Sequence, residues 1–392
     1  MQAIRWTEKS SLQIIGLMSG TSADGMDAAL TEITGCGLDT RVKMLGFVSL
    51  PYPEPVRNEI LRLASGTAGG SRDLALFSFL LGKISLDACL AVCRQAEIDP
   101  STVDLVGSHG QTLYHQPVPV DYLGTPVRGT LQLGEPSVIS EGLGCPVVSD
   151  FRVRDLAAGG QGAPLVPYAE YLLYRQENRT IGLQNIGGIG NLTLLPAHGR
   201  PEDTLAFDTG PGNMLIDQLM ERFSEGKVHY DADGAFAASG QVSPALLSFL
   251  LSDPYLRRKP PKSTGREAYG TAYVNALLQE ADRLGTPPQD VVATATMFTA
   301  ECIRIGVRDF CPLQPDELIV GGGGSRNGML MRYIRDALSV PVRTNEDLGY
   351  NSDAKEAVAF AILANECVHG ICSNMPSVTG AAHPVVMGKI SY

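Results

Sequence analysis

The chain has 392 residues, 44% of them hydrophobic and 19% charged, and a formal net charge of −11. This length and balance predict a soluble globular protein large enough for two domains. The acidic surplus argues against nucleic acid or an anionic membrane as partner, because both are held through basic patches and counterion release. No uncharged apolar run approaches the roughly 18–20 residues that a bilayer span needs, and the N-terminus lacks a charged-then-apolar leader layout, so the expected location is the cytoplasm with no membrane contact. Eight cysteines without a C-x-x-C pair predict reduced thiols rather than a zinc ribbon or a disulfide framework. Cys89 and Cys93, one helical turn apart, read as packing.

In chain order, short apolar runs alternate with longer helical patterns, the mark of an α/β fold. Residues 12–17 and 26–33 read as strands around 19-SGTSADG-25, whose length and glycines suit a hairpin better than a strand-to-helix crossover. Residues 42–50 extend the meander. Helical patterns follow at 56–64 and 74–96, then a strand at 104–107 that runs into Ser108-His109-Gly110-Gln111-Thr112. A loop at the C-terminal end of a strand is where open α/β sheets bind ligands, so His109 is a candidate site residue, a structural histidine being the alternative.

A second half begins near 146-PVVSD-150, passes through 154-RDLAAGGQGAPLVP-167 and repeats the theme of strand, glycine turn and strand: 180–185, then Ile186-Gly187-Gly188-Ile189-Gly190, then 191–195. Two halves that begin alike predict a duplicated fold, one glycine hairpin per domain, with phosphates held in a shared cleft. Helical patterns occupy 214–223, 244–251, 272–284 and 291–310. A strand at 317–320 opens into Gly321-Gly322-Gly323-Gly324-Ser325, and a helix starts near Asn327. Four glycines after a buried strand let a flat group such as a purine approach the backbone, a plain tight turn being the alternative. The expected domains are 1–148 with 371–392, and 149–370. The chain has no G-x-x-x-x-G-K-[ST], H-E-x-x-H, G-x-S-x-G or correctly spaced G-x-G-x-x-G, which disfavours a P-loop NTPase, a zincin and an α/β-hydrolase.

The strings SGTSADGMD (19–27), SHGQT (108–112), DFRVRD (150–155), AAGGQGAPLVP (157–167), NIGG (185–188), FDTGPGN (207–213), KSTGRE (262–267) and PSVTGA (376–381) resemble the anhydro-N-acetylmuramic acid kinase family, in order and along almost the whole chain. That family belongs to the superfamily of sugar kinases, actin and the large heat-shock chaperones. The resemblance therefore implies two ribonuclease-H-like domains of the actin-like ATPase fold, closing on ATP and Mg2+ across an interdomain cleft. It implies that ATP, water and 1,6-anhydro-N-acetylmuramic acid give N-acetylmuramic acid 6-phosphate and ADP, a step of peptidoglycan recycling. A homodimer is expected.

The same resemblance supplies residue roles. Asp208 matches the catalytic aspartate, the base that takes a proton from water; its bland alternative is a cap for the helix that begins near Asn213. Arg154 and Asp155 match an R-D pair beside the sugar, with an exposed ion pair as the alternative, and that alternative is preferred for Arg152. Glu356 matches a sugar-facing glutamate but also fits a surface residue complementing a helix dipole. His109 is expected in the same pocket. ATP is expected along Gly20, Thr21, Ser22, Ala23, Asp24, Gly25, Met26 and Asp27, with Gly187 and Gly188 meeting the phosphates and Gly322, Gly323 and Gly324 flanking adenosine. Asp24 and Asp27 would be outer partners of Mg2+ rather than direct ligands. The stretch 116–136 departs from the shortest family pattern and reads as a loop or small hairpin. The basic run 257–267 reads as solvated surface, or as support near the cleft. Two rivals share the expected fold: a different sugar or carboxylate kinase, and a noncatalytic ATP-driven binding protein.

Overall fold

Apolar residues in LQIIGLMS and GMDAALTEIT build β1 (Leu12–Ser19) and β2 (Gly25–Thr34), which pair antiparallel from Leu12 opposite Ile33 to Met18 opposite Asp27. β3 (Arg41–Pro51) continues the meander on the far side of β2. β4 (Leu105–Tyr122) returns parallel to β1, turns antiparallel into β5 (Thr125–Leu133), and carries β6 (Val147–Ser149) parallel on its other edge. β12 (Lys389–Ser391) closes the row against β6, giving the order β12-β6-β4-β1-β2-β3. The computed structural model describes Trp6 and residues 9–20, 22–66 and 69–392. Its contacts divide into one unit that runs to Leu173 and resumes over Ala354–Tyr392, and a second, Tyr174–Asp353.

The two faces of the first sheet are covered differently. Ile15, Leu17 and Val106 join a core with Phe77, Leu81, Ala88 and Val92 of the helix Ser71–Gln95. Among the described residues this is the one helix long and apolar enough to cross a membrane, more apolar than expected from the sequence, and its buried face serves the core. On the opposite face the helix Lys355–Val368, buried from Ala357 to Glu366, lies against β1, β2 and β4. Its approach is set by Gly16 and Gly107, neighbours across the β1–β4 pair. A Cβ on either would run into helix backbone, the Ala357 carbonyl for Gly16 and the Phe360 carbonyl for Gly107. Gly107→Ala is expected to cost about 1–3 kcal/mol through overpacking, read as a lower urea midpoint; an unchanged midpoint would mean that the helix can step back freely.

In the second unit β7 (Ile181–Ile186), β8 (Ile189–Leu195) and β9 (Leu205–Pro211) form an antiparallel meander. β10 (Glu317–Gly321) lies parallel to β7 and β11 (Val342–Thr344) parallel to β10. The order β11-β10-β7-β8-β9 repeats β6-β4-β1-β2-β3: a meander with two parallel strands added beside its first. Each unit is thus a mixed α/β, ribonuclease-H-like sheet. The buried helix Pro288–Ile305 supports β8 and β9 and packs on the helices Met214–Phe223, Pro244–Leu251 and Gly328–Ala337.

Three expectations change. Residues 147–149 do not open the second half; they form β6 of the first sheet. The unit borders fall at 173/174 and 353/354 rather than at 148 and 370, because residues 355–368 form the helix that covers the first sheet. β4 does not stop at 107 but runs on to Tyr122 and pairs with β5, so that the 116–136 stretch contains a hairpin.

Candidate active site

In the first unit the chemistry gathers where β1 and β4 end. Ser108 still faces Leu17, but Gln111 faces Ser19, so His109 and Gly110 together oppose one residue of β1. This bulge uses Gly110 at φ +72° and re-aims the strand. Gln111 then holds the β1–β2 turn. Its Nε2 donates to the Gly20 carbonyl at 3.2 Å, and its Oε1 accepts the Ser19 hydroxyl at 2.5 Å, while the Tyr52 hydroxyl donates to Ser19 Oγ at 2.8 Å. Inside the turn the Ser22 hydroxyl donates to Asp24 Oδ1 at 2.8 Å. Of the expected nucleotide-contacting stretch, Gly20, Ser22 and Asp24 lie at the turn, and Asp24 is exposed. Gly25 starts β2 beside the Leu50 backbone, and Asp27 is half-buried. Ala23 and Met26 point into the core, 0% and 1% exposed, so their side chains are packing. Thr21 lies outside the described residues.

His109 is buried with its ring against Phe360. Burial and the Arg152 guanidinium push its pKa down to about 3, so the imidazole is neutral. Nδ1 lies 2.7 Å from the Gly110 carbonyl, which takes the ring proton, and Nε2 accepts from Arg152 Nε at 3.1 Å. Both nitrogens are spent within the protein, so His109 orients the arginine. Arg152 also donates through Nη1 to the Gly162 carbonyl at 2.7 Å. Burial lowers its pKa and the charge of Glu356 opposes that.

The structure separates the two members of the expected R-D pair. Arg154 is exposed, and Arg152, read from the sequence as a surface ion pair, is the arginine of the cluster. Asp155 is 0% exposed. Its Oδ1 accepts from Asn374 Nδ2 at 2.7 Å and Thr379 Oγ1 at 2.8 Å, and its Oδ2 from the Gly162 N–H at 2.7 Å. These bonds make Asp155 a structural anchor rather than a sugar ligand. Glu356 stands in the first turn of the Lys355–Val368 helix, exposed yet crowded enough that desolvation raises its carboxyl pKa; Lys355 pulls it back, Asp27 raises it, and Arg152 lowers it.

In the second unit three glycine segments converge. The Gly187 carbonyl accepts the Asn213 N–H at 2.8 Å, and the Gly188 carbonyl accepts those of Gly212 at 2.9 Å and Met214 at 3.1 Å. The β7–β8 turn thereby closes the start of the Met214–Phe223 helix, whose first N–H groups are spent inside the protein. Gly322, Gly323 and Gly324 fold into the turn after β10 and pack on Asn185, Ile186 and Asn213. The Asn327 side chain caps the next helix at the Leu330 N–H, 2.9 Å away.

Asp208 lies on β9 opposite Asn191, and the register breaks immediately after it. It does not cap the Met214–Phe223 helix. Its Oδ2 accepts the Thr264 N–H at 2.9 Å, its N–H donates to the Lys262 carbonyl at 3.2 Å, and its carbonyl accepts the Tyr255 hydroxyl at 2.8 Å. The carboxyl is half-buried, and desolvation raises its pKa against the opposing Thr264 N–H and Lys262, with Glu267 adding to the rise. A carboxylate with a raised pKa, one oxygen tied and the side chain partly open, is suited to accept a proton. The 262–264 segment that grips it is part of the basic run first read as solvated surface or support.

Residues 12–392 match the family model described as anhydro-N-acetylmuramic acid kinase. The chain is 50% identical over 391 residues to the anhydro-N-acetylmuramic acid kinase of Caldanaerobacter subterraneus subsp. tengcongensis, covering 99% of each chain. It is 43% identical over 386 residues to that of Bacillus cereus strain Q1, covering 97% of this chain and 99% of the relative. Among solved structures it is similar, at 11% identity and a TM-score of 0.46, to component A of the (R)-2-hydroxyglutaryl-CoA dehydratase of Acidaminococcus fermentans, covering 91% of this chain and 98% of that one.

Proposed function

The chain belongs to the anhydro-N-acetylmuramic acid kinase family and is a phosphotransferase that uses ATP on that sugar; from this premise we propose that it opens the 1,6-anhydro ring and phosphorylates O6 in one reaction, with Asp208 as the base. Water attacks C1 and its proton passes to Asp208. The C1–O6 bond breaks, its electron pair goes to O6, and O6 attacks the γ-phosphorus of ATP as ADP departs. The products are N-acetylmuramic acid 6-phosphate and ADP, which is the chemistry required for reuse of cell-wall sugar. The observation that carries this reading is Asp208 itself, fixed by the Thr264 N–H and raised in pKa by burial. A stronger base than an ordinary aspartate is what removal of a proton from water calls for.

Other residues take supporting parts. The β1–β2 turn at 20–25 offers backbone and Ser22 to the phosphates. Arg152, aligned by neutral His109, supplies positive charge beside Glu356, in place of the Arg154 assignment. Mg2+ suits the oxygen donors present: Asp24, exposed and bonded to Ser22, and Asp27 would hold it through its waters. When bound, the ion supplies neutralisation of phosphate charge. Eight unpaired cysteines support a reducing, cytoplasmic setting. The expected homodimer is supported by Val118, Tyr122 and Leu123, which the β4–β5 hairpin exposes.

ADP release should be followed with MgATP and, in turn, the anhydro sugar, open N-acetylmuramic acid and glucose. Turnover is expected with the anhydro sugar alone, with a product heavier by one water and one phosphoryl group. Equal turnover of the open sugar would replace the coupled mechanism with that of an ordinary sugar kinase.

A further inference from the structure

Lysine is almost never buried without a carboxylate partner, yet Lys262 is 6% exposed and, among the described residues, no carboxylate lies within ion-pair distance of its Nζ. The ammonium stands over three aromatic rings instead: Phe310 at 4.3 Å from the ring centroid, Tyr255 at 4.7 Å and Phe207 at 5.7 Å. Electron-rich ring faces hold a desolvated cation without neutralising it. Its charge therefore remains available to the surroundings.

Those surroundings are Asp208. Phe207 precedes it on β9, and Tyr255, the second wall, donates its hydroxyl to the Asp208 carbonyl. The Lys262 carbonyl accepts the Asp208 N–H, and the Thr264 N–H, two residues on, holds the carboxylate. The cage around the lysine and the grip on the aspartate are one structure. We propose that Lys262 is a positioning residue for Asp208: pinned by its three rings, it fixes the 262–264 backbone that orients the carboxylate and keeps a positive charge beside it that favours the ionised base. The inference rests on the reading of Asp208 as the base.

Electrostatics around the pair point the same way. Burial and Glu267 raise the Asp208 pKa, while the Thr264 N–H and Lys262 lower it. On the lysine, burial and Arg258 lower the pKa, and Cys302 and Asp208 raise it. Burial holds the Cys302 thiol far above its ordinary value, so it stays neutral and adds no charge at working pH. Among the described residues, Lys262 is thus the side-chain cation that opposes the desolvation of Asp208. Without it the carboxylate protonates at higher pH, and the acid limb of the rate profile moves up.

The test is the pH profile of kcat/KM for ADP release with MgATP and the anhydro sugar, in wild type, Lys262→Met, Lys262→Arg and Asp208→Asn, with thermal melts of each. For Lys262→Met the acid limb should move up by about one unit, with kcat on the plateau about tenfold lower and KM for ATP unchanged. Lys262→Arg should restore the limb. A slower Lys262→Met with an unmoved limb, while Asp208→Asn is inactive, would overturn the positioning role and leave the base assignment standing. Full turnover by Asp208→Asn would overturn the base assignment and this inference with it. If Lys262→Met does not fold, Phe310→Leu, which keeps the charge but opens the nearest wall, should move the limb upward by less, and an unmoved limb there overturns the proposal.

Discussion

Replacing Asp208 with asparagine is expected to lower kcat about a thousandfold, the middle of the range for loss of a general base, while KM for ATP stays within about twofold because the change touches proton transfer rather than uniform binding. The amide oxygen can still accept the Thr264 N–H that now meets Oδ2, and the backbone bonds to Lys262 and Tyr255 do not involve the side chain. The melting temperature should therefore hold. Because burial lifts the carboxyl above its ordinary value, wild-type kcat/KM should fall on the acid side at a pH above the usual aspartate range. Steady-state kinetics from pH 4 to 9 check both points. A variant with near wild-type kcat would remove Asp208 from the mechanism.

Replacing Asp155 with alanine is the largest expected loss of stability. Its carboxylate is fully enclosed and accepts three hydrogen bonds from Gly162, Asn374 and Thr379. Alanine leaves those donors without an acceptor, at a cost of about 3–5 kcal/mol, as for a broken buried charged network. Asp155→Asn keeps the acceptor oxygen that Asn374 and Thr379 share and should lose less. Urea unfolding of both variants, with KM for the sugar measured on folded protein, gives the check. The expected pattern is a lower midpoint with an unchanged KM. A raised KM at normal stability would return Asp155 to the ligand role that its motif suggested.

What could be read in advance depended on element length and on how each break in pattern is absorbed. The β1–β2 hairpin was legible because two apolar runs flank a turn rich in glycine and small polar residues. β4 was not, since Gly110, Pro117 and Pro119 look like terminators. In the structure a bulge absorbs Gly110, and the β4–β5 register slips between Gln116 and Val120, so the prolines sit where the ladder is interrupted. β6, β11 and β12 have three residues each, too few to show a period. The Lys355–Val368 helix is apolar nearly all round, which marks it as buried but does not say against which sheet, so the pattern alone does not locate a unit border at 353/354.

The arginine pair was decidable. On the helix Phe151–Ala157 the buried residues Phe151, Asp155 and Leu156 define an arc that contains position 152 and leaves 154 on the other side, by the 100° step of the helix. Lys262 was harder. Its cage draws Phe207, Tyr255 and Phe310 from three separated parts of the chain, a juxtaposition that no local pattern announces.

The first unit is built from both ends of the described chain, and this bears on the order of events during synthesis. Its sheet needs the helix Lys355–Val368 over Gly16 and Gly107, and β12 against β6, and both leave the ribosome after the whole of Tyr174–Asp353. The second unit is one uninterrupted stretch with all its strands in hand by Thr344. Domains fold as units while the chain emerges at about 5–20 residues per second. The later-encoded unit can therefore finish first, while an N-terminal sheet with one bare apolar face waits on the order of ten seconds or more for its cover. During that wait the nascent chain is most in need of a chaperone, and a stalled or truncated message would yield a folded second unit attached to an unprotected first.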